Sequence, residues 1–186
     1  MAIPGSILSQ RDLWRAPGMI FVTVGNAKER FRRLLDSVDQ LAGQGLFEGE
    51  TVIIQSGHDR DFRPRHCKVV EFFPLEEFVR LINDASLVIC HGGAGTLYHA
   101  FHAGKIPIAM PRRKKYSEIL TENEIGLVQA LAAEGRIIPV HEPEDLPQAI
   151  VEARRRPTQP RPPAPVRMLN LVEKAIQELI GHRNND

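Results

Sequence analysis

Apolar residues recur along the chain with two different spacings, one typical of buried strands and the other of amphipathic helices. The run from Met19 to Val24 is β-branched and aromatic and ends at Gly25, which is typical of a buried parallel strand. The segment that follows has apolar residues three and four positions apart, and this spacing predicts a helix. Its apolar positions are Phe31, Leu34, Leu35, Val38 and Leu41.

The same alternation of strand and helix continues to about residue 156. Further strands are predicted at residues 51–55, 69–72, 86–90, 106–110 and 136–139. Helices are predicted around residues 75–82 and at 96–104, 117–133 and 144–155. This order predicts an α/β fold over residues 19–156: a single Rossmann-like domain with a parallel sheet of about six strands and helices on both faces.

Both ends of the chain differ from this pattern. Residues 1–18 read as a flexible leader without an apolar stretch long enough for a signal peptide. Five prolines within residues 157–165 predict an extended linker. Residues 166–186 carry an apolar stripe that predicts an amphipathic helix, which either folds back on the domain or docks on another protein. The stripe consists of Leu169, Val172, Ala175, Ile176 and Leu179.

Composition narrows the classes of protein to be considered. The formal net charge of +1 over 186 residues gives no electrostatic reason to expect a nucleic-acid partner. Cys67 and Cys90 lie far apart and without metal-ligand spacing, so we expect buried thiols, no metal site and a cytoplasmic location. No apolar run approaches the ~20 residues that cross a bilayer, so attachment to a membrane requires a partner.

The segment from Cys90 to Thr96 carries the chemistry. It reads Cys-His-Gly-Gly-Ala-Gly-Thr and lies where a predicted strand passes into a helix. Parallel sheets bind ligands at the carboxyl ends of their strands, and helix N-termini present unpaired amides to phosphate. Glycines there allow a diphosphate to approach the backbone, and Thr96 can cap the helix or bond a phosphate oxygen. A nicotinamide-dependent enzyme is weakly supported, because the third small residue of a dinucleotide fingerprint falls on Tyr98.

The longer string HGGAGTLYHAFHAGKIPIAMPR resembles the donor-binding C-terminal domain of GT-B glycosyltransferases of the MurG type, in family 28. The likeness runs from MIFVTVG to about Arg156 and includes PRRKKY after a later strand. It is nearest to the separately encoded soluble subunits of two-part UDP-sugar transferases. Two such subunits belong to the GlcNAc transferase of the dolichol pathway and to bacterial exopolysaccharide glucuronosyltransferases.

The resemblance implies a division of labour between two chains. This chain would bind a UDP-sugar as donor substrate, with no cofactor and no metal, and would be inactive alone. A membrane-anchored partner would supply the acceptor site for a lipid-linked sugar, and this chain would associate with the membrane through it. The expected substrate-binding residues are Gly25, Asn26, His91, Gly92, Gly93, Ala94, Gly95, Thr96, His99, Arg112, Glu122 and Asn123. No catalytic base is assigned, because it can come from the partner.

Three loops depart from the family pattern. His99 stands where the family usually has a ribose-binding Glu, and a neutral imidazole cannot grip two hydroxyls as a carboxylate can. Ile119 replaces a His, and Asn123-Glu124 replace His-Gln near the donor sugar. Gly25-Asn-Ala-Lys28 replaces Gly-Thr-His-Glu. Either the substrates differ from the common ones, or the chain is a catalytically degenerate module that binds a nucleotide or stabilises a partner.

The basic run and His91 can each be interpreted either as ligand-binding or as structural. The basic run from Arg112 to Lys115 either steers a diphosphate or contacts anionic lipid, or it is a solvated loop. His91 either bonds phosphate or the acceptor, or is a His satisfied by the backbone. If the glycine loop binds the diphosphate, Gly93→Val should abolish nucleotide binding while the fold survives.

Overall fold

A six-stranded parallel sheet forms the centre of the protein. The computed structural model describes residues 18–120 and 123–156. The strands are β1 Met19–Thr23, β2 Thr51–Gln55, β3 Lys68–Val70, β4 Leu87–Cys90, β5 Ile108–Ala109 and β6 Ile138–Pro139. They lie in the order β3-β2-β1-β4-β5-β6, and every neighbouring pair is parallel. The predicted fold class, sheet and strand number are confirmed.

The strand order changes direction between β1 and β4. The chain builds outward from β1 through β2 to β3, then returns to the other side of β1 to form β4. Thr23 pairs with Cys90, so the loops after these two strands begin side by side. Such a point in an open parallel sheet leaves a crevice between the two loops, where ligands bind.

Five α-helices cover the two faces of this sheet. They are α1 Arg32–Gly43, α2 Leu75–Asp84, α3 Ala94–His102, α4 Asn123–Ala133 and α5 Leu146–Arg155. Alternate strand residues point to opposite faces. Ile20 and Val22 join the cluster that contains the apolar side chains of α1 and α5. Phe21 joins the cluster of α2 and α3, and a third cluster joins α3 to α4.

Two helix boundaries correct the sequence predictions. α3 begins at Ala94, with Gly93 as its N-cap residue, and not at Thr96. The predicted helix 117–133 is interrupted, because residues 114–116 form a 3₁₀ turn and Ser117 adopts a left-handed conformation with φ 56°. A left-handed residue cannot continue a right-handed helix, so α4 begins only at Asn123.

The ends of several elements also differ from prediction. β3 ends at Val70 and not at residue 72, because its partner β2 ends at Gln55, which pairs with Val70. Strands β5 and β6 are each two residues long, and a 3₁₀ turn at residues 143–145 precedes α5. The predicted leader, except Gly18, the proline-rich linker and the C-terminal helix lie outside the described residues. Of the helices within the described ranges, none has the length and apolar character that a bilayer crossing requires.

The largely buried side chain of Arg33, 11% exposed, joins helix α1 to two other segments. The Arg33 guanidinium donates two hydrogen bonds of 2.9 Å to the Glu118 carboxylate. It also donates to the backbone oxygens of Pro111, at 3.0 Å, and His141, at 2.7 Å. Glu118 in turn accepts a hydrogen bond from the amide of Arg113 at 2.9 Å. Helix α1 is thereby fixed to the segments that follow β5 and β6.

We expect Arg33→Met to lower the free energy of unfolding by about 3–5 kcal/mol, since it leaves the buried Glu118 carboxylate uncompensated. Denaturant titration would measure the change. Arg60→Met is the matched control, because Arg60 and its partner Glu71 are 75% and 52% exposed and such a pair contributes about 0–1 kcal/mol. Equal losses in the two variants would contradict a structural role for the buried pair.

Candidate functional site

Two glycine-containing loops meet where the strand order changes direction. The loop after β1 contains Gly25, with φ +70°, and the loop after β4 contains Gly92, with φ +88°. Both angles lie in the left-handed region that glycine adopts without strain. A Cβ on Gly92 would also lie 2.6 Å from Cγ2 of Val128 on α4. Glycine at these two positions is therefore required by the backbone itself.

The imidazole of His91 fills the space between these loops. A Cβ built on Gly25 would overlap the ring at Nε2, and one built on Gly93 would overlap it at Cε1. The residue is 8% exposed. Its Nδ1 lies 2.9 Å from Oε1 of Glu124, and its Nε2 lies 3.5 Å from Oγ1 of Thr96. Gly93 thus accommodates a side chain of the protein, and both ring nitrogens have side-chain partners.

Glu124 connects the loop after β4 to the loop after β5. Besides its contact with His91, its carboxylate accepts a hydrogen bond of 2.9 Å from the amide of Arg112. Burial alone would raise the pKa of Glu124, but the charge and hydrogen bond of His91 and the Arg112 amide outweigh it and lower the pKa. The side chain is therefore a carboxylate at neutral pH, and a carboxylate only accepts hydrogen bonds.

The first turn of α3 presents unpaired amides beside this histidine. The first hydrogen bond that closes the helix runs from the amide of Leu97 to the oxygen of Gly93, at 3.1 Å. The amides of Ala94, Gly95 and Thr96 precede it, and no described residue accepts a hydrogen bond from them. The turn contains no acidic residue. It therefore offers donors and a partial positive charge to an anion.

The three glycines of the motif have three different environments. A Cβ on Gly92 or Gly93 would overlap protein atoms, whereas a Cβ on Gly95 would have no heavy atom within 4 Å. Gly95 is exposed. Open space beside the free amides therefore lies at Gly95, and this is where a bound anion could approach the helix.

Arg112 is buried and does not face this open space. The residue is 1% exposed, and its guanidinium donates a hydrogen bond to the oxygen of Val24 at the end of the first strand segment. It also lies 5.5 Å from the centre of the Phe31 ring. Burial lowers the pKa of Arg112 below its ordinary value, and the nearby carboxylates of Glu124, Glu29 and Glu118 oppose that shift. This geometry gives Arg112 a part in holding the loop after β1, and direct phosphate contact would require its side chain to leave the interior.

The rest of the basic run is also engaged with the protein. Lys115 Nζ donates to Glu142 at 3.0 Å and lies 4.5 Å from the centre of the Tyr116 ring. The main-chain amide of Arg113 is bonded to Glu118. The interpretation of this run as a solvated loop is therefore wrong for Arg112, which is buried, whereas Lys115 is exposed and ion-paired.

His99 lies one turn further along α3. Its ring packs edge-on against Phe78 of α2, at a centroid distance of 6.0 Å, and beside Tyr98 at 5.4 Å. Partial burial, followed by the charge of His102, lowers the pKa of His99, so it is neutral at physiological pH. A neutral imidazole in this position makes at most one hydrogen bond at each ring nitrogen, and its role toward a ribose stays a prediction.

The remaining predicted residues are distributed around the crevice. Ala94 is the buried first residue of α3, and Thr96 is a buried residue of its first turn that does not cap it. Asn26 is exposed beside Gly25, and Asn123 is the exposed first residue of α4. Glu122 lies outside the described residues. Among the described residues, no group of three or more His, Cys, Asp or Glu side chains is arranged to hold a metal ion.

Sequence reasoning missed two features of the site. Glu124 was noted only as a departure from a pattern, because the predicted helix 117–133 placed it in a helix interior. In the structure it lies in the first turn of α4, against His91. The second feature is Gln55, which donates to Thr23 Oγ1 at 3.2 Å and accepts from the Phe73 amide at 3.1 Å. A polar residue that ends an otherwise apolar strand is the signal that could have indicated this contact.

The sequence matches the glycosyltransferase family 28 C-terminal domain over residues 19–179. Erythronolide mycarosyltransferase of Saccharopolyspora erythraea is 38% identical over 64 residues, which is 34% of this chain and 15% of that protein. The match to the family domain covers most of the chain, whereas the match to this relative is local.

Solved structures of glycosyltransferases share the fold. The glycotransferase of kitacinnamycin superposes with a TM-score of 0.57 at 14% identity, covering 90% of this chain and 40% of that one. The calicheamicin glycosyltransferase CalG4 gives 0.55 at 14% identity, covering 88% and 39%. Os79 from O. sativa, solved in complex with UDP and deoxynivalenol-3-glucoside, gives 0.51 at 11% identity, covering 85% and 36%. The chain thus spans about two fifths of the length of these structures.

Two glycine substitutions test whether His91 packs against Gly93 while the space at Gly95 is open. We expect Gly93→Ala to cost about 1–3 kcal/mol of unfolding free energy, because its methyl group overlaps the imidazole. Gly95→Ala should leave stability unchanged or raise it by up to about 1 kcal/mol, since alanine favours a helix. Denaturant unfolding measures both, and equal stability of the two variants would contradict this position for His91. Gly93→Val therefore tests packing first, contrary to the expectation from sequence.

Glu124 should contribute to acid sensitivity. Its pKa is lower in the folded protein than the ordinary value of 4.5, so its ionised form stabilises the fold above that value. This contribution is lost as the pH falls through the folded pKa. Urea unfolding would measure the free energy of unfolding of wild type and Glu124→Gln at several pH values between neutral and about pH 3. Plotted against pH, the two free energies should converge toward low pH. Parallel curves would show that the carboxylate charge is not what stabilises the loops.

Proposed function

This chain belongs to the glycosyltransferase family 28 C-terminal domain family. We therefore propose that it binds the UDP-sugar donor of a glycosyl transfer. The diphosphate of the donor would accept hydrogen bonds from the first amides of α3. The observation that carries this proposal is the open space at Gly95, which lies directly beside three amides without a protein acceptor. The donor is a substrate here, and the reaction is proposed to require no cofactor and no metal.

The electrostatics of the crevice favour an anion. The N-terminus of α3 carries a partial positive charge and has no acidic residue in its first turn. The buried guanidinium of Arg112 lies behind the loop after β1, and the carboxylates of Glu124, Glu29 and Glu118 offset its charge. Glu124 itself is already engaged with His91 and the Arg112 amide. A diphosphate would therefore interact mainly with the partial positive charge of the helix terminus, on a protein whose net charge is only +1.

Uridine as the nucleotide is supported by analogy. Os79, whose fold is shared, was solved with UDP. Asn26, beside Gly25, and His99 on α3 are exposed or partly exposed at the same edge of the sheet and would contact the rest of the donor. Asn123, the exposed first residue of α4, would face the sugar, and the sugar contact predicted for Glu122 lies outside the described residues.

We further propose that the acceptor is bound by a membrane-anchored partner and is a lipid-linked sugar, so that the complex extends a lipid-linked glycan or an exopolysaccharide. The described residues form one Rossmann-like half, and the chain spans about two fifths of the glycosyltransferase structures it resembles. Exposed apolar side chains at the carboxyl edge of β3 offer a surface for the other half. They are Val70, Phe72 and Leu75, with exposed fractions of 40%, 38% and 67%. The proposed location is cytoplasmic, at the membrane through the partner.

A non-catalytic binding module is the alternative that one observation favours. His99 occupies the position where the family pattern has a carboxylate, and it is packed against Phe78. A chain without the carboxylate that hydrogen-bonds the ribose hydroxyls could still bind a nucleotide or stabilise a partner without turnover.

Ligand-dependent thermal unfolding tests the proposal. UDP, UDP-GlcNAc, UDP-glucuronate and NADH are each titrated against the purified protein. A ligand at 100 times its dissociation constant should add about 2.7 kcal/mol of stability. Greater protection by a UDP-sugar than by UDP is the result expected of a donor site. Protection by UDP alone favours the binding module, and protection by NADH alone would overturn the proposal in favour of a nicotinamide site.

A matched pair of glycine variants locates the site. We expect Gly95→Val to abolish protection by UDP without unfolding the protein, because the side chain enters the open space beside the amides. Gly126→Val is the control. Gly126 is also exposed on a helix with no heavy atom within 4 Å of its Cβ position, and it projects about 200° around α4 from Glu124. Undiminished UDP protection in Gly95→Val would refute the assignment of the diphosphate to this turn.

A further inference from the structure

Gln55 is a buried polar residue at the end of strand β2, whose three preceding residues are apolar. It is 3% exposed. Its Oε1 accepts a hydrogen bond of 3.1 Å from the amide of Phe73, in the segment between β3 and α2. Because a backbone N–H only donates, Oε1 must face Phe73, and Nε2 is thereby directed at Oγ1 of Thr23, 3.2 Å away. The two ends of the Gln55 amide therefore join two different segments at the carboxyl edge of the sheet.

The hydroxyl of Thr23 extends this connection to the loop after β1. Thr23 is fully buried, and its Oγ1 also accepts a hydrogen bond of 3.2 Å from the amide of Gly25. The two donors occupy both lone pairs of the hydroxyl oxygen. In addition, the backbone oxygen of Gln55 accepts a hydrogen bond of 3.2 Å from the amide of Val24. Gln55 thus holds the start of this loop through its side chain and through its backbone.

Two packing contacts further restrict the loop at Gly25. A Cβ built on Gly57, in the loop after β2, would lie 2.9 Å from the backbone oxygen of Gly25. On its other side, Gly25 packs against the ring of His91. The neighbouring residue Asn26 is exposed. The shape of this loop is therefore set by contacts within the protein, and Asn26 is free to contact a ligand.

Stability alone is a weak reason for such a network. A buried hydrogen bond between neutral groups contributes little net stability, and apolar side chains of the same shape can replace such a pair at nearly no cost. A fully satisfied polar network does, however, specify one geometry. Here the specified geometry is that of a loop that borders the crevice, and a preformed loop does not lose conformational entropy when a ligand binds.

We propose, on the basis of the donor site described above, that Gln55, acting through Thr23, is a positioning residue of that site. It holds the loop after β1 in the conformation that receives the donor, so that Asn26 lies against a UDP-sugar bound at the first turn of α3. Gln55 and Thr23 are buried and do not touch the donor. Without the network the loop adopts several conformations, and the apparent affinity falls with the fraction that is competent to bind.

Isothermal titration calorimetry of UDP with the full chain tests this inference. Thr23→Val keeps the shape of the side chain and removes the acceptor of two hydrogen bonds. We expect its dissociation constant for UDP to rise about tenfold, the factor to which one lost hydrogen bond corresponds. Gln55→Met should have the same effect, and the double variant should bind no more weakly than either single variant, because the two residues act as one unit. Thr23→Ser retains the hydroxyl and should restore the affinity.

Val52→Ala is the matched control for a loss of stability. Val52 is 3% exposed and lies on the same strand, three residues before Gln55 and toward the opposite edge of the sheet. Its truncation leaves a cavity and lowers the free energy of unfolding, but the folded protein should bind UDP as wild type does. Equal losses of affinity in Val52→Ala and Thr23→Val would assign the network to stability alone and overturn the inference.

Hydrogen exchange of wild type, followed by NMR, tests the same inference without a substitution. The amides of Gly25 and Phe73 should exchange slowly before UDP is added, because both donate to buried side chains. Fast exchange that becomes slow only after UDP is added would show that the ligand orders the loop. That result would overturn the inference.

The possible failures are distinguishable. If wild type binds no UDP, the proposed function fails and this inference fails with it. If wild type binds UDP and both Thr23→Val and Gln55→Met bind it equally well, the donor site stands and the inference is overturned. If one of these variants does not fold, the other decides the affinity test. If neither folds, the exchange rates of wild type decide.

Discussion

The contact between His91 and Glu124 is the interaction around which the crevice is built. It joins the loop after β4 to the first turn of α4, and the second oxygen of the same carboxylate holds the loop after β5. The imidazole also fills the space between Gly25 and Gly93. Without this pair, three segments at the carboxyl edge of the sheet would lose their common partner, and a buried charge would be left without compensation.

This arrangement changes the meaning of the glycine motif. Gly92 is required by its backbone angle, Gly93 by the ring of His91, and only Gly95 leaves space beside the helix amides. A glycine-rich turn is commonly read as a cradle for phosphate. Here two of the three glycines serve the protein's own packing, and the open position is the one inside the first turn of α3. The phosphate-binding capacity of the loop is thus concentrated in the helix terminus.

The fold was predictable from sequence because each strand is an apolar run and each helix an apolar stripe, with turns between them. The family resemblance was confirmed at the level of the domain, whereas the two-chain organisation remains a proposal. The site was less predictable for a physical reason. Arg112 follows a strand end, as a phosphate ligand would, yet its side chain turns back to the oxygen of Val24. The direction of this side chain depends on the conformation of the neighbouring loop, which the spacing of apolar residues in the sequence does not predict.

Glu124 illustrates the same difficulty from the other direction. Local sequence suggests a continuous helix from residue 117, but Ser117 is left-handed and residues 118–120 are not helical. Because the interruption moves the helix start to Asn123, a residue expected in a helix interior becomes a first-turn carboxylate facing the crevice. Serine in that conformation is uncommon, so no local propensity would have indicated it.

Arg33 places a limit on how this domain can diversify. One planar guanidinium serves a carboxylate and two backbone oxygens on segments that are distant in sequence. Such a fork tolerates little change in the relative positions of its acceptors. Insertions or deletions in the segments after β5 or β6 must therefore leave the positions of Pro111, Glu118 and His141 unchanged. The loop after β1, whose residue Asn26 is exposed, supplies none of the acceptors of this fork, so its change is not limited by Arg33.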